Sequence, residues 1–327
     1  MKKSSKIALI STLTAVVGVI VFIIGMSIIG WDFKRLDVAE YTAKSYAAGQ
    51  TEHVERIELN IKTFPIVVTL GDVTSLDYYE TNDSDTSVTY ENGTLKIVEK
   101  YMYNPFKSGM FNMSRSGHRF VLTVSDGSDL VINGSNCNIS ASNIVFSDID
   151  IRVTNLDIML KDCTADSFKA NSTNLDAKLM GCEMNSLTVD ATNAEVSMNG
   201  CEIGSVIVDS TNSDVDILGG TYSELSVEST NNDIDIERAS VQTIVLRGTN
   251  GDYVLENVTV DYLTAEATNL DADLEIAGEK AEYTIKTRGN GLPREQTGTT
   301  DKLINLSGLN CEVELKFITA VGGVRPN

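Results

Sequence analysis

Histidine, proline and basic side chains are scarce in this chain. Among 327 residues there are 2 histidines, 4 prolines and 1 tryptophan, and 26 lysines and arginines stand against 46 aspartates and glutamates. Each shortage excludes something. His53 and His118 sit in no zinc motif and beside no plausible nucleophile, so histidine-based hydrolysis and histidine-ligated zinc have no footing. No GxSxG elbow, Walker loop or dinucleotide fingerprint occurs. A formal net charge of -20 opposes nucleic acid and anionic surfaces as partners. With so few prolines and 24 glycines the composition is not that of a disordered chain.

What the chain has instead is repetition. Thr-Asn recurs at 154, 173, 192, 211, 230, 249 and 268, each time 19 residues on, and an older copy starts at Ser135-Asn136. Within each unit, apolar residues alternate in two short runs: Leu156, Ile158 and Leu160, then Phe168 and Ala170, followed by Leu175, Ala177 and Leu179, then Leu187 and Val189. Period-2 alternation means strands with one buried face. No unit has the roughly 10–12 residues an internal helix needs. One unit is therefore one coil of two strands and two corners. Coils stacked in parallel at about 4.8 Å form a single-chain parallel β-helix, an all-β solenoid. Antiparallel hairpin units of a sandwich are the alternative, but hairpin loops have no reason to keep one length.

The ends are less regular. KKSSK at 2–6 precedes an uncharged apolar run over 7–30 and then Trp31. That run is long enough to cross a bilayer and too long for a cleaved signal core. It predicts an N-terminal transmembrane helix over 1–31, anchoring the chain in the cell membrane by a single pass with the remainder extracytoplasmic. Residues 32–53 read as a polar, Ala-rich stalk with room for a short helix. Residues 54–134 read as an irregular β capping region with the first coils, Asn92-Gly93 marking a tight turn. The regular 19-residue coils occupy 135–287. A loop over 288–302 and closing strands complete a C-terminal cap over 288–327.

Fixed register turns sequence columns into rows. Asp157, Asp176, Glu195, Asp214, Asp233, Asp252 and Asp271 share one column between inward positions and face outward. A second row is partly acidic, with Asp216, Asp235 and Asp273, and a third holds Asp190, Asp209, Glu228 and Glu266. Oxygen-rich rows suit calcium, yet no compact DxDxDG loop occurs, and a solvated face that discourages sheet stacking explains the same acids. The Asn row is structural, its amides placed to bond from coil to coil. Cys163, Cys182 and Cys201 lie 19 apart beside a turn. They are read as buried thiols or as one disulfide, and poorly as a metal site. Tyr101, Met102, Tyr103, Phe106, Met110, Phe111 and Met113 form the best candidate partner patch, unless they only cover the end of the stack.

The opening HVERIELNIKTFPIVVTLG, the ENGTLKIVEK strand pair and the tandem TNxDxxL coils resemble the putative adhesin, DUF4097-type family of envelope-stress-associated proteins of Gram-positive bacteria, over roughly 54–320. The resemblance implies a β-solenoid, often membrane-tethered, with no catalytic residues to carry over. The resulting expectation is a non-catalytic adhesion, scaffold or envelope-sensing protein with an envelope protein or cell-wall polymer as partner. The alternatives are a binding module for cell-wall polymer or divalent cations, and a polysaccharide-active β-helix enzyme using paired carboxylates.

Overall fold

The computed structural model describes residues 17–27, 41–49, 53–61, 65–81, 84–101 and 119–318. The chain divides into two compact units. The first comprises Met1–Ala43, Tyr79–Asp85 and Lys100–His118. Its described residues form a helix over 17–27 and an antiparallel pairing of Thr81 with Ser84. The second comprises Lys44–Tyr78, Thr86–Glu99 and Arg119–Asn327 and is a parallel β-solenoid.

The expected bilayer-crossing helix is not met by what is described. Among the described residues no helix is long and apolar enough to cross a membrane. The remainder of the 7–30 run lies outside the described residues. A helix in the stalk is also corrected, because Tyr41–Ala47 is a strand. Just after it, Ala48 N donates to Thr74 O at 2.9 Å; sheet pairing there overrides the helical preference of alanine.

The second unit follows the repeat. Strands Thr164–Met180, Glu183–Asn199, Glu202–Leu218 and Thr221–Glu237 each carry both runs of apolar alternation. Each pairs in parallel with the next at an offset of 19, so Leu187 faces Val206 and Val189 faces Val208. Inward columns are apolar because every second residue must leave water. Val206, Val208, Leu225, Val227, Ile244 and Leu246 are each 0% exposed, and each such side chain contributes roughly 1.5–3 kcal/mol on burial. Between the runs the coils turn on left-handed residues. Asn143, Asp162, Gly181, Gly200, Gly219, Arg238 and Asn257 all have φ between 50 and 66°. Glycine, asparagine and aspartate tolerate that geometry, which explains the Gly column beside the cysteines.

Chain order and spatial order part at both ends. Arg56–Ile61 lies between Thr94–Tyr101 and Ser128–Gly134. Ile66–Leu70 lies between Phe120–Val124 and Asn136–Ser142. The first coil is therefore interior, and strands that follow it in sequence sit outside it. At the other end Leu303–Ser307 is inserted between Tyr262–Glu266 and Thr284–Arg288, while Asn310–Ile318 extends Asn269–Ala277. A strand tucked between two others is held by two ladders rather than one, which protects a terminus from fraying. Asn92 and Gly93, with φ of 50 and 76°, form the tight turn expected there.

Candidate functional site

The asparagine column is a continuous side-chain ladder. Asn155 Nδ2 donates to Asn136 Oδ1 at 2.5 Å, Asn174 to Asn155 at 2.6 Å, and Asn193 to Asn174 at 2.7 Å. The same bond continues through Asn212, Asn231, Asn250 and Asn269 to Asn310. The amides all point one way because each offers a donor to the coil before it and an acceptor to the coil after it. Next to the ladder the inward column becomes polar for two coils. Ser213 Oγ donates to Asn232 Oδ1 at 2.6 Å, and Asn232 Nδ2 reaches Arg247 O at 2.8 Å and Tyr253 Oη at 3.3 Å. All three side chains are at most 5% exposed. Gly251 makes room for this, since a Cβ there would lie 2.5 Å from the Tyr253 ring.

The first acidic row is assembled by the same register. Asp157 pairs with Asp176, Asp176 with Glu195, Glu195 with Asp214, Asp214 with Asp233 and Asp233 with Asp252, and Asp271 pairs onward with Glu312. Its early members are compensated. Asn138 Nδ2 donates to Asp157 at 2.6 Å, and Lys178 Nζ lies 2.9 Å from both Asp176 carboxylate oxygens. Among the described residues no lysine or arginine pairs with Glu195, Asp214, Asp233, Asp252 or Asp271. The electrostatics follow. Partial burial, and then the carboxylates of Asp216, Asp233 and Glu195, hold the Asp214 carboxyl above its ordinary pKa. Burial followed by neighbouring acids does the same at Asp235 and at Asp252. In the second row Asp216 faces Asp235, and Lys316 lies 3.7 Å from Asp273. Among the described residues no group of three or more His, Cys, Asp or Glu side chains is placed to hold a metal ion.

The third row departs from a simple acidic stripe. Asp190, Asp209 and Glu228 are followed in register by Arg247, whose Nε lies 3.2 Å from Glu266 Oε2. Glu266 pairs with Ser307, and Ser307 with Arg288. Neither arginine belongs to an acidic column of the sequence. Arg247 was recoverable, standing 19 residues after Glu228. Arg288 was not, because the strand insertion moves it across Ser307.

All five cysteines are free thiols. Cys163, Cys182 and Cys201 are at most 1% exposed, and the Cys182 and Cys201 thiols point at the Leu160 and Leu179 carbonyls at 3.5 Å. Burial raises the Cys163 pKa, and a hydrogen bond with Cys201 together with burial raises that of Cys182. These thiols are core. Of the aromatic and methionine patch, Met102, Tyr103, Phe106, Met110, Phe111 and Met113 lie outside the described residues, and for Tyr101 only the strand backbone is described.

The geometry defines a class: a single-chain parallel β-solenoid with outward polar ladders and no interruption of its coils from 146 to 277 beyond short corners. The Toastrack DUF4097 family model matches residues 54–199 and 180–289. The chain belongs to that family. No curated protein matches it. Among solved structures it is similar to a "putative adhesin" from Parabacteroides distasonis, at 10% identity and a TM-score of 0.39, covering 85% of this chain and 98% of that one. A "putative adhesin" from Bacteroides fragilis gives 11% identity and a TM-score of 0.33 over 85% of this chain and 97% of that one. A "putative cell adhesion protein" from Clostridium sporogenes gives 12% identity and 0.20 over 85% and 100%.

Proposed function

We propose that this chain is a non-catalytic adhesion or scaffold module of the bacterial cell envelope. Its N-terminal apolar run tethers it to the cell membrane, and its solenoid presents an acidic face outside. The supporting observation is the run from Glu195 to Asp271, a column of outward carboxylates without a paired lysine or arginine among the described residues. Carboxylates kept in line against their mutual repulsion suit a cationic partner surface. They suit catalysis poorly, because evenly spaced collinear acids do not converge on one bond.

The test uses cells displaying the full chain and a triple variant, Asp214→Asn with Asp233→Asn and Asp252→Asn. Attachment to a polylysine-coated surface should fall several-fold in the variant, since rim charges act mainly through the field they sum to. Equal attachment of the two would remove the reading. New reducing ends released from wall polysaccharide by the purified full chain would also remove it, in favour of an enzyme.

A divalent-cation layer on the same row is the second reading, favoured by the one-per-coil register of Glu195, Asp214, Asp233 and Asp252. Millimolar calcium should then raise the unfolding temperature of the full chain and leave that of the triple variant in place. An equal effect on both proteins would dismiss it.

A further inference from the structure

We propose that the corner beside the third outward row is a binding groove for a linear, hydroxyl-rich polysaccharide bearing carboxylate groups. The groove measures about 880 Å3 and follows the direction in which coils stack, from Asp209 to Arg288. One wall presents one side chain per coil, in the order Glu228, Arg247, Glu266, Ser307, Arg288. The opposite wall is formed by Thr230, Thr249 and Thr268, all exposed, with Leu309 at its end, 72% exposed. The floor is kept low by small residues, among them Gly248, Ala267 and Gly308. At Gly248 a Cβ would come within 2.6 Å of Ser229 O, so the backbone there cannot carry a side chain without opening the corner.

Chemistry selects the ligand. The groups are collinear and recur at the strand spacing of about 4.8 Å, so they address a chain with a repeat rather than a compact molecule. An extended peptide advances about 3.3 Å per residue and drifts out of phase with such rungs. The pyranose repeat of an extended glycan stays nearly in step. Threonine hydroxyls both donate and accept, and the carboxylates of Glu228 and Glu266 accept from sugar hydroxyls. Arg247 is already engaged by Glu266. Arg288 has no carboxylate partner among the described residues, and its planar fork matches a carboxylate. Asp209 and Glu228 at the far end disfavour a uniformly dense polyanion. This groove uses different outward rows from the acidic face, so it stands or falls separately from the adhesion reading.

Calorimetric titration of the full chain with a hexasaccharide in which glucuronate alternates with a neutral sugar, and with the same hexamer after reduction of its carboxylates to alcohols, tests this. The uronate should bind saturably and the reduced hexamer about tenfold more weakly, the worth of one charge-assisted hydrogen-bonded pair. Arg288→Gln should weaken uronate binding by about tenfold and Thr249→Val by about threefold, while Lys169→Gln, at an exposed position outside the groove, leaves it unchanged. Lack of saturable uronate binding, equal binding of both hexamers, or full affinity in a folded Arg288→Gln protein would overturn the proposal. Hydrogen exchange on the unmodified chain gives a readout that no variant's folding can obscure. Bound uronate should protect 247–249, 266–268 and 307–309, and protection confined to other segments would equally overturn it.

Discussion

Arg238 occupies a backbone position that its own column shows to be wrong for it. Its φ is 54°, and the equivalent corner residues are Asn, Asp or Gly. A side chain with an ordinary Cβ costs about 1–2 kcal/mol in the left-handed region, and the exposed pairing of Arg238 with Glu237 returns only a fraction of that. Arg238→Asn should therefore raise stability by about 0.5–1 kcal/mol in urea titration, and a lower midpoint would show that the pair outweighs the strain. The asparagine ladder allows a graded companion experiment. Asn193 both donates at 2.7 Å and accepts at 2.8 Å, whereas Asn136 only accepts within the ladder. At about 1 kcal/mol per bond, Asn193→Ala should cost roughly twice what Asn136→Ala costs. Equal losses at the two positions would mean that the corner, not the ladder, holds the coils.

At the scale of the element, two coils carry a bulky phenol where neighbours carry small aliphatics, and each makes room through a glycine two residues earlier. Tyr222 follows Gly220 and Tyr253 follows Gly251, with Cβ positions that would fall 2.9 Å and 2.5 Å from the respective hydroxyls. Gly251→Ala should destabilise by about 1–3 kcal/mol through overpacking, and Tyr253→Val in the same chain should restore most of the loss. Additive costs in the double mutant would refute the coupling. This exchange of volume between columns is visible in sequence only once the register is known. The register itself was legible, because alternation, the Thr-Asn column and a constant interval all say the same thing. The exchange of order at the ends was not. Thr284–Arg288 and Leu303–Ser307 both offer apolar alternation, through Ile285 and through Ile304 and Leu306, and nothing local decides which docks first on Tyr262–Glu266. The column from Asp157 to Asp271 stays within the regular coils and is legible from the interval alone, while the groove ending at Arg288 depends on long-range pairing that the interval does not contain.

For the whole molecule, a net charge of -20 acts on stability through the carboxylates that the fold lines up. Asp214, Asp235 and Asp252 have raised pKa values in the folded chain, from partial burial first and neighbouring acids second. A carboxyl whose folded pKa lies above its unfolded value binds more protons when folded. Its contribution therefore favours folding below the unfolded pKa and turns unfavourable as pH rises through the folded value. These three groups should make the solenoid slightly more stable on moving from neutral pH down towards the upper edge of the carboxylate range. Glu58 works in the opposite sense. Its pKa is lowered, chiefly by the hydrogen bond from Arg56, and the stability it contributes is lost as pH falls through that lowered value. The three groups are largely exposed, so solvent screening limits each effect to a few tenths of a kcal/mol. Replacing all three by Asn should raise the neutral-pH unfolding free energy by about 0.5–1 kcal/mol in total and flatten its rise on mild acidification. Added salt should reproduce part of the same gain in the unmodified chain and much less in the variant. A triple variant that unfolds more readily than the parent at neutral pH and low salt would show that the acids hold the coils together rather than strain them, and the open cationic-partner face would then lose its physical basis.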